Sequence, residues 1–157
     1  MKHTISVLVE NKPGVLARIS GLFSARGFNI DSLAVGETND PTMSRMTIVA
    51  NAPDERILEQ IKKQLNKLID VISVVDLTRR DFFERELLLI KVQNPVESKS
   101  LSALIGKYAA TVLSQEDTET IIEAVGTYAR MNELVEALKG VGTVKELVRT
   151  GRIAIGC

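Results

Sequence analysis

The sequence predicts an α+β protein made of two successive units of order βαββαβ, each an antiparallel sheet with two helices on one face. Three observations lead there. Apolar residues switch repeatedly between a period of two and a period near 3.6, the signatures of strand and helix. The switch runs strand, helix, strand, strand, helix, strand over residues 3–77, and recurs over residues 87–155. The length of 157 residues suits one compact domain or two small ones that need no disulfide or structural metal.

The elements follow in order. Residues 3–9 alternate as a strand, with Ile5, Val7 and Val9 on one face and Leu8 on the other. N-K-P-G breaks the alternation, and Val15, Leu16, Ile19, Leu22 and Phe23 then form the stripe of an amphipathic helix that ends at Gly27 in a left-handed cap. Phe28 to Val35 reads as a strand, and Gly36 to Thr42, with N-D-P inside it, as a loop. Arg45 to Ala50 returns as the second arm of a hairpin. Asn51 to Asp54 start a second helix with the stripe Ile57, Leu58, Ile61, Leu65 and Leu68, and Val71 to Leu77 closes the unit as a strand.

The charged run T-R-R-D-F-F-E-R-E then interrupts the pattern, which places a first domain at 1–78, a linker at 79–83 and a second domain at 84–157. In the second half, Leu87 to Val92 is a strand, and Leu101, Leu104, Ile105 and Tyr108 are a helical stripe. Val112 to Ser114 and Thr120 to Val125 are strands, Met131, Leu134, Val135 and Leu138 a second helix, and Val144 to Val148 a strand. A short strand at Arg152 to Ile155 ends the chain. Each half is then a ferredoxin-like unit. A sheet with helices on one face needs cover on the other, supplied in the first unit by the second half or by another copy, and its edge strands invite pairing into a homodimer.

Composition narrows the function. Twenty Lys+Arg balance twenty Asp+Glu, so the positive footprint of a nucleic-acid binder is missing. The strands Ile5 to Val9 and Arg45 to Ala50 also lack the aromatic residues on which an RNA-binding sheet stacks bases. One histidine, His3, and one cysteine, Cys157, leave no Cys/His catalytic pair, zinc set or serine triad, and there is no C-x-x-C. No catalytic residue and no metal ligand is therefore assigned. No apolar run approaches the ~20 residues of a membrane span, and a single cysteine with no signal peptide suits the cytoplasm.

The informative segment is N-K-P-G-V-L, residues 11–16, between the first strand and the first helix. Pro13 suits an opening helical turn, and Gly14 allows a positive φ or the close approach of a ligand. Free N–H groups of Gly14, Val15 and Leu16 would form a carboxylate site without a charged side chain, and Asn11 offers an acceptor for an ammonium group as well as an amide donor. The same residues also make an ordinary strand-to-helix turn, and spacing alone leaves both readings open.

Placed after a strand within βαββαβ, N-K-P-G-V-L resembles the ligand loop of ACT domains, the amino-acid-sensing modules of biosynthetic enzymes. The longer run V-L-V-E-N-K-P-G-V-L-A-R-I-S-G-L-F-S-A-R-G-F-N-I-D-S-L-A-V-G-E-T, with D-P-T-M-S-R-M-T-I-V after it, is similar to the small regulatory subunits of acetolactate synthase. The resemblance implies a non-catalytic subunit in branched-chain amino acid biosynthesis. Its partner would be a large catalytic subunit that carries thiamine diphosphate, Mg²⁺ and FAD, with no cofactor in this chain. It also implies a homodimer through the ACT domains, activation of the large subunit, and feedback inhibition by valine or a related branched-chain amino acid bound where two ACT units meet. By motif, one chain supplies Asn11, Gly14, Val15 and Leu16, and the neighbouring chain supplies Asn29 and Ile30. An ACT-type sensor for a different biosynthetic enzyme is the alternative.

Overall fold

The computed structural model describes residues 2–51, 55–93 and 98–157. The expected start of the second helix at Ala52 to Asp54 lies outside the described residues. The chain divides into two compact units, one running through Phe83 and taking in Arg152–Cys157, the other Glu84–Gly151.

In the first unit the elements are β1 (Lys2–Glu10), α1 (Val15–Ser24), β2 (Ile30–Glu37), β3 (Met43–Asn51), α2 (Glu55–Leu65) and β4 (Val71–Asp76), the predicted order. The four strands form an antiparallel sheet of order β2-β3-β1-β4. Period-two alternation sends Ile5, Val7 and Val9 of β1 and Met46, Ile48 and Ala50 of β3 to one face. There they meet Val15, Ile19 and Phe23 of α1 and Leu58, Ile61 and Leu65 of α2 in one core. At the end of α1, the Phe28 N–H donates to the Phe23 carbonyl at 3.0 Å, and Gly27 takes the left-handed conformation at φ 70°. That is the cap expected of this glycine. His3 also belongs to this interior: it is buried, and neither ring nitrogen has a hydrogen-bond partner.

The opposite face of this sheet is covered by the chain's own last residues. β9 (Ile153–Gly156) belongs to the first unit and touches β1 and β3. The Arg152 N–H donates to the Ser32 hydroxyl at 2.8 Å, and the Ala154 N–H to the Thr47 hydroxyl at 3.4 Å. The Cys157 N–H donates to the Asp81 carbonyl at 3.0 Å. Thr4, Ser6 and Thr47, on the face away from the helices, are all buried. One expectation is corrected: Arg152–Cys157, expected within a second domain of 84–157, pack with the first unit. The other alternative given for this face, cover by the second half of the chain, agrees with these residues lying on it. The physical reason is that the Ser32 and Thr47 hydroxyls accept from strap N–H groups which would otherwise lack a partner against a dry sheet face.

Residues 79–83 likewise do not form a free linker. Arg79 pairs with Glu55 of α2, the Arg80 N–H donates to the Leu77 carbonyl at 3.1 Å, and Phe82 opens the next strand.

The second unit contains β5 (Phe82–Gln93, from Glu84 onward), α3 (Ser98–Tyr108), β6 (Thr111–Gln115), β7 (Glu119–Gly126), α4 (Tyr128–Lys139) and β8 (Thr143–Arg149). The strand order is β6-β7-β5-β8, with every pairing antiparallel. Leu88, Ile90, Val92, Ile122 and Ala124 from the sheet pack on Leu101, Tyr108, Met131, Leu134 and Leu138 from the helices. Glu86 is buried and accepts from Arg149 Nη1 at 2.7 Å, while Arg149 Nη2 donates to Asn132 Oδ1 at 2.6 Å. These bonds tie β5, β8 and α4 together. Leu89, Val125 and Val148 stand exposed on the face away from the helices.

A chain ending at Gly151 lacks the strap. Three hydrogen bonds at about 1 kcal/mol each, with the burial of Ala154, predict that the first unit loses about 2–4 kcal/mol of stability. Amide hydrogen exchange in β1 and β3 reads this directly, and unchanged protection of Thr4 to Val7 would show that the strap is dispensable.

Candidate functional site

The N-K-P-G segment joins the end of the central strand β1 to α1. Gly14 is the N-cap of α1 at φ 83°, a conformation disfavoured for residues with a Cβ. The helical ladder starts at the Arg18 N–H, which donates to the Gly14 carbonyl at 3.0 Å. No side chain caps the helix, and its first turn carries no acidic residue. The Val15 N–H reaches the Lys12 carbonyl at 3.4 Å, so it is not one of the free donors that spacing suggested. Among the described residues the donors left open at this terminus are the N–H groups of Gly14, Leu16 and Ala17.

The side chains divide by role. Val15 is buried and belongs to the core, so only its backbone faces the loop. Leu16 is 44% exposed and stands at the mouth of the helix start. The Asn11 N–H donates to the Thr42 carbonyl at 2.7 Å, and its Nδ2 donates to Glu37 Oε1 at 3.1 Å and to the Pro41 carbonyl at 3.0 Å. Its amide donor thus fastens the β2–β3 loop, leaving Oδ1 as the atom available to an ammonium group. That loop is itself ordered by Asp40, whose Oδ1 accepts from the Thr42 N–H at 2.9 Å and the Thr42 hydroxyl at 2.6 Å. These bonds hold the Asp40 carboxyl below its usual range.

Arg18 and Asp70 complete the surroundings, and sequence reasoning did not select either. Arg18 donates to Asp70 Oδ2 from Nε at 2.9 Å and from Nη2 at 2.6 Å. A Cβ built on Gly14 would stand 3.3 Å from Arg18 Nη1. The available signal was the four-residue step from Gly14 to Arg18, because helical side chains lean toward the N-terminus of their helix.

Asn29 and Ile30 lie elsewhere. Ile30 opens β2 opposite Ala50, which pairs in turn with His3 near the start of β1. The 11–16 loop follows the end of β1, eight residues further along the strand, or about 26 Å at 3.3 Å per residue. One chain therefore brings Asn11, Gly14, Val15 and Leu16 together but does not bring Asn29 and Ile30 to them. Both residues sit where β2, an edge strand, begins. The ladder shifts register at Asp31, whose carboxylate takes the Asn29 amide at 2.9 Å and lies 3.2 Å from Lys2 Nζ. Both contacts lower the Asp31 pKa, with Lys2 the stronger cause. Among the described residues no group of His, Cys, Asp or Glu could hold a metal ion, and no helix is long and apolar enough to cross a membrane.

The βαββαβ unit, with an uncapped helix start after its central strand and Asn11 beside it, agrees with the ACT-type module that the sequence resembles. Residues 5–73 match the family described as AHAS small subunit-like ACT domain, and residues 85–157 the family described as small subunit of acetolactate synthase. The chain is 46% identical over 156 residues to a probable acetolactate synthase small subunit of Archaeoglobus fulgidus, covering 99% of this chain and 96% of that protein. It is 46% identical over 154 residues to the acetolactate synthase small subunit of Mycolicibacterium smegmatis, covering 98% and 90%. The crystal structure of the small subunit from Thermotoga maritima superimposes with a TM-score of 0.89 at 33% identity, covering 100% of this chain and 98% of that one. The chain belongs to the acetolactate synthase small-subunit family, regulatory subunits with an N-terminal ACT domain.

Two outcomes follow from the loop. Gly14→Ala forces a side chain into the left-handed region against Arg18, and chemical denaturation should register a loss of about 1–2 kcal/mol. Because the Asp40 carboxyl is held low, the order it gives the loop is complete above the ordinary carboxylate range and fades as pH falls through its lowered value. Exchange of the Thr42 amide should accelerate on acidification, and Asp40→Asn should remove that pH dependence.

Proposed function

We propose that this chain activates a large catalytic subunit of acetolactate synthase and makes it sensitive to valine or a related branched-chain amino acid. The catalytic chemistry belongs to the partner, which carries thiamine diphosphate, Mg²⁺ and FAD in the cytoplasm. This chain contributes a sensor. The observation that carries the reading is the start of α1: three open N–H groups, no capping side chain and no acidic residue in the first turn, beside Asn11 Oδ1. Such a terminus favours an anion by about 0.3–1 kcal/mol through its partial charge, and more through charge-assisted hydrogen bonds.

A small amino acid satisfies all of this at once. Its carboxylate takes the N–H groups of Gly14, Leu16 and Ala17, its ammonium meets Asn11 Oδ1, and its branched side chain lies along Leu16. Asn29 and Ile30 of a second copy close the site in a dimer formed through the ACT units. Ile30 lines the apolar end and Asn29 adds polar contacts. Binding between two copies favours the arrangement that presents both halves, and a coupling of about 1–3 kcal/mol is enough for feedback control.

The test is reconstitution. The purified chain mixed with an acetolactate synthase large subunit should raise the rate of acetolactate formation, and valine should reverse the gain; neither effect appearing would dispose of the assignment. Gly14→Asp is the selective probe. Asp tolerates positive φ better than most residues, and its carboxylate would occupy the ligand's place near Arg18. It should keep activation while abolishing valine inhibition, with no valine heat in calorimetry.

A further inference from the structure

The two sheets differ on the side away from their helices. In the first unit that side is polar, with Thr4, Ser6 and Thr47 buried where residues 152–157 lie across it. In the second unit it is apolar and open. Leu89, Val125 and Val148 are 37%, 51% and 51% exposed, and Leu87 and Ile121 lie half-buried beside them. Leu87 stands opposite Val125, and Leu89 opposite Val148, on neighbouring strands, so the patch is continuous. A shallow hollow of about 220 Å³ opens between Leu89, Ile121 and Val148. Charges are set among these side chains. Lys91 Nζ is 3.6 Å from Glu146 Oε2, too far for a good hydrogen bond. Glu123, half-buried opposite Leu89, has no ion pair among the described residues.

We propose that this face of the second unit is an interface with a second copy of the chain, packed sheet against sheet about a twofold axis. The charges select that occupant. Lys91 and Glu123 sit diagonally on adjacent strands, and an axis passing between them sets Lys91 of each copy over Glu123 of the other, so one contact forms two ion pairs. An apolar partner would bury both charges without a counter-charge, and a partner of one sign would repel one of them. Zero net charge removes overall repulsion between copies. Size sets the contact's role. Four strands about 4.8 Å apart, over Leu87 to Gln93 at about 3.3 Å per residue, present roughly 450 Å², little more than half of the ~800 Å² per partner in a standard stable interface. The face is therefore a second contact between copies already joined through their ACT units, which raise its effective concentration. In this it rests on the effector reading given above, which supplies the first contact.

Sedimentation equilibrium of the full-length protein over a range of concentrations reads this contact. Lys91→Glu sets an acid against Glu123 across the axis, and Glu123→Lys sets two lysines together; each should weaken dimerisation about tenfold or more. The double variant restores opposite charges and should return to within about threefold of the unaltered protein. Leu89→Asp, at an exposed position, should weaken dimerisation at least as much while the circular dichroism spectrum stays unchanged. Proximity has its own readout. In a Cys157→Ser background, Lys91→Cys and Glu123→Cys proteins mixed in equal amounts should form a disulfide between copies on mild oxidation. Dimerisation untouched by the single substitutions, weakening without rescue in the double variant, or absence of the disulfide would each overturn the interface. Single variants that dimerise normally but no longer activate a large subunit would also overturn it, and would give the face to that subunit. An unaltered protein that stays monomeric at every concentration would overturn the effector reading together with it.

Discussion

A central strand buried on both faces is the constraint from which the first unit is built. Thr4, Ile5, Ser6 and Val7 of β1 are all buried, although their side chains point alternately to opposite sides. Apolar helices satisfy one side. The other carries Thr4 and Ser6, with Thr47 beside them on β3, and needs a cover that is both small and able to hydrogen-bond. The strap Arg152–Cys157 meets this need with backbone N–H groups aimed at side-chain hydroxyls. Polar residues in the middle of a sheet, which would be costly without partners, become attachment points.

The same economy of side chains holds at the other end of β1. Gly14, Leu16 and Ala17 offer backbone N–H groups, Asn11 divides its amide between fastening a loop and presenting an oxygen, and Arg18 is fastened to Asp70. With a single histidine and a single cysteine in the chain, the polar groups gathered here come from backbone amides, asparagine, arginine and carboxylates.

Much of this was legible in the residues. The order of elements followed from apolar spacing because the stripes of α1, α2 and α4 and the alternation of β1 are long enough to fix a period. N-K-P-G marked the strand-to-helix turn and Gly27 the helix end, since both positions need backbone freedom that few residues supply. The strap was recognisable as a strand but not as a part of the first unit, because four residues, I-A-I-G, say nothing about which sheet they will meet. The pairing of Arg18 with Asp70 spans 52 residues and has no local signature in the sequence. Val15 was half legible. Its place beside Gly14 put it in the loop, whereas its place in the helical stripe put its side chain in the core, and the structure keeps the second.

The strap also sets the order in which the protein can be made. Its bonds to Ser32 and Thr47 close over separations of 120 and 107 residues, and the second unit is encoded entirely between them. A growing chain thus finishes every residue of the second unit before the first can be completed. The earlier-translated sheet waits with one polar face open until residues 152–157 leave the ribosome. Contacts of such separation form slowly, and the unit translated in the middle can settle before the one translated first.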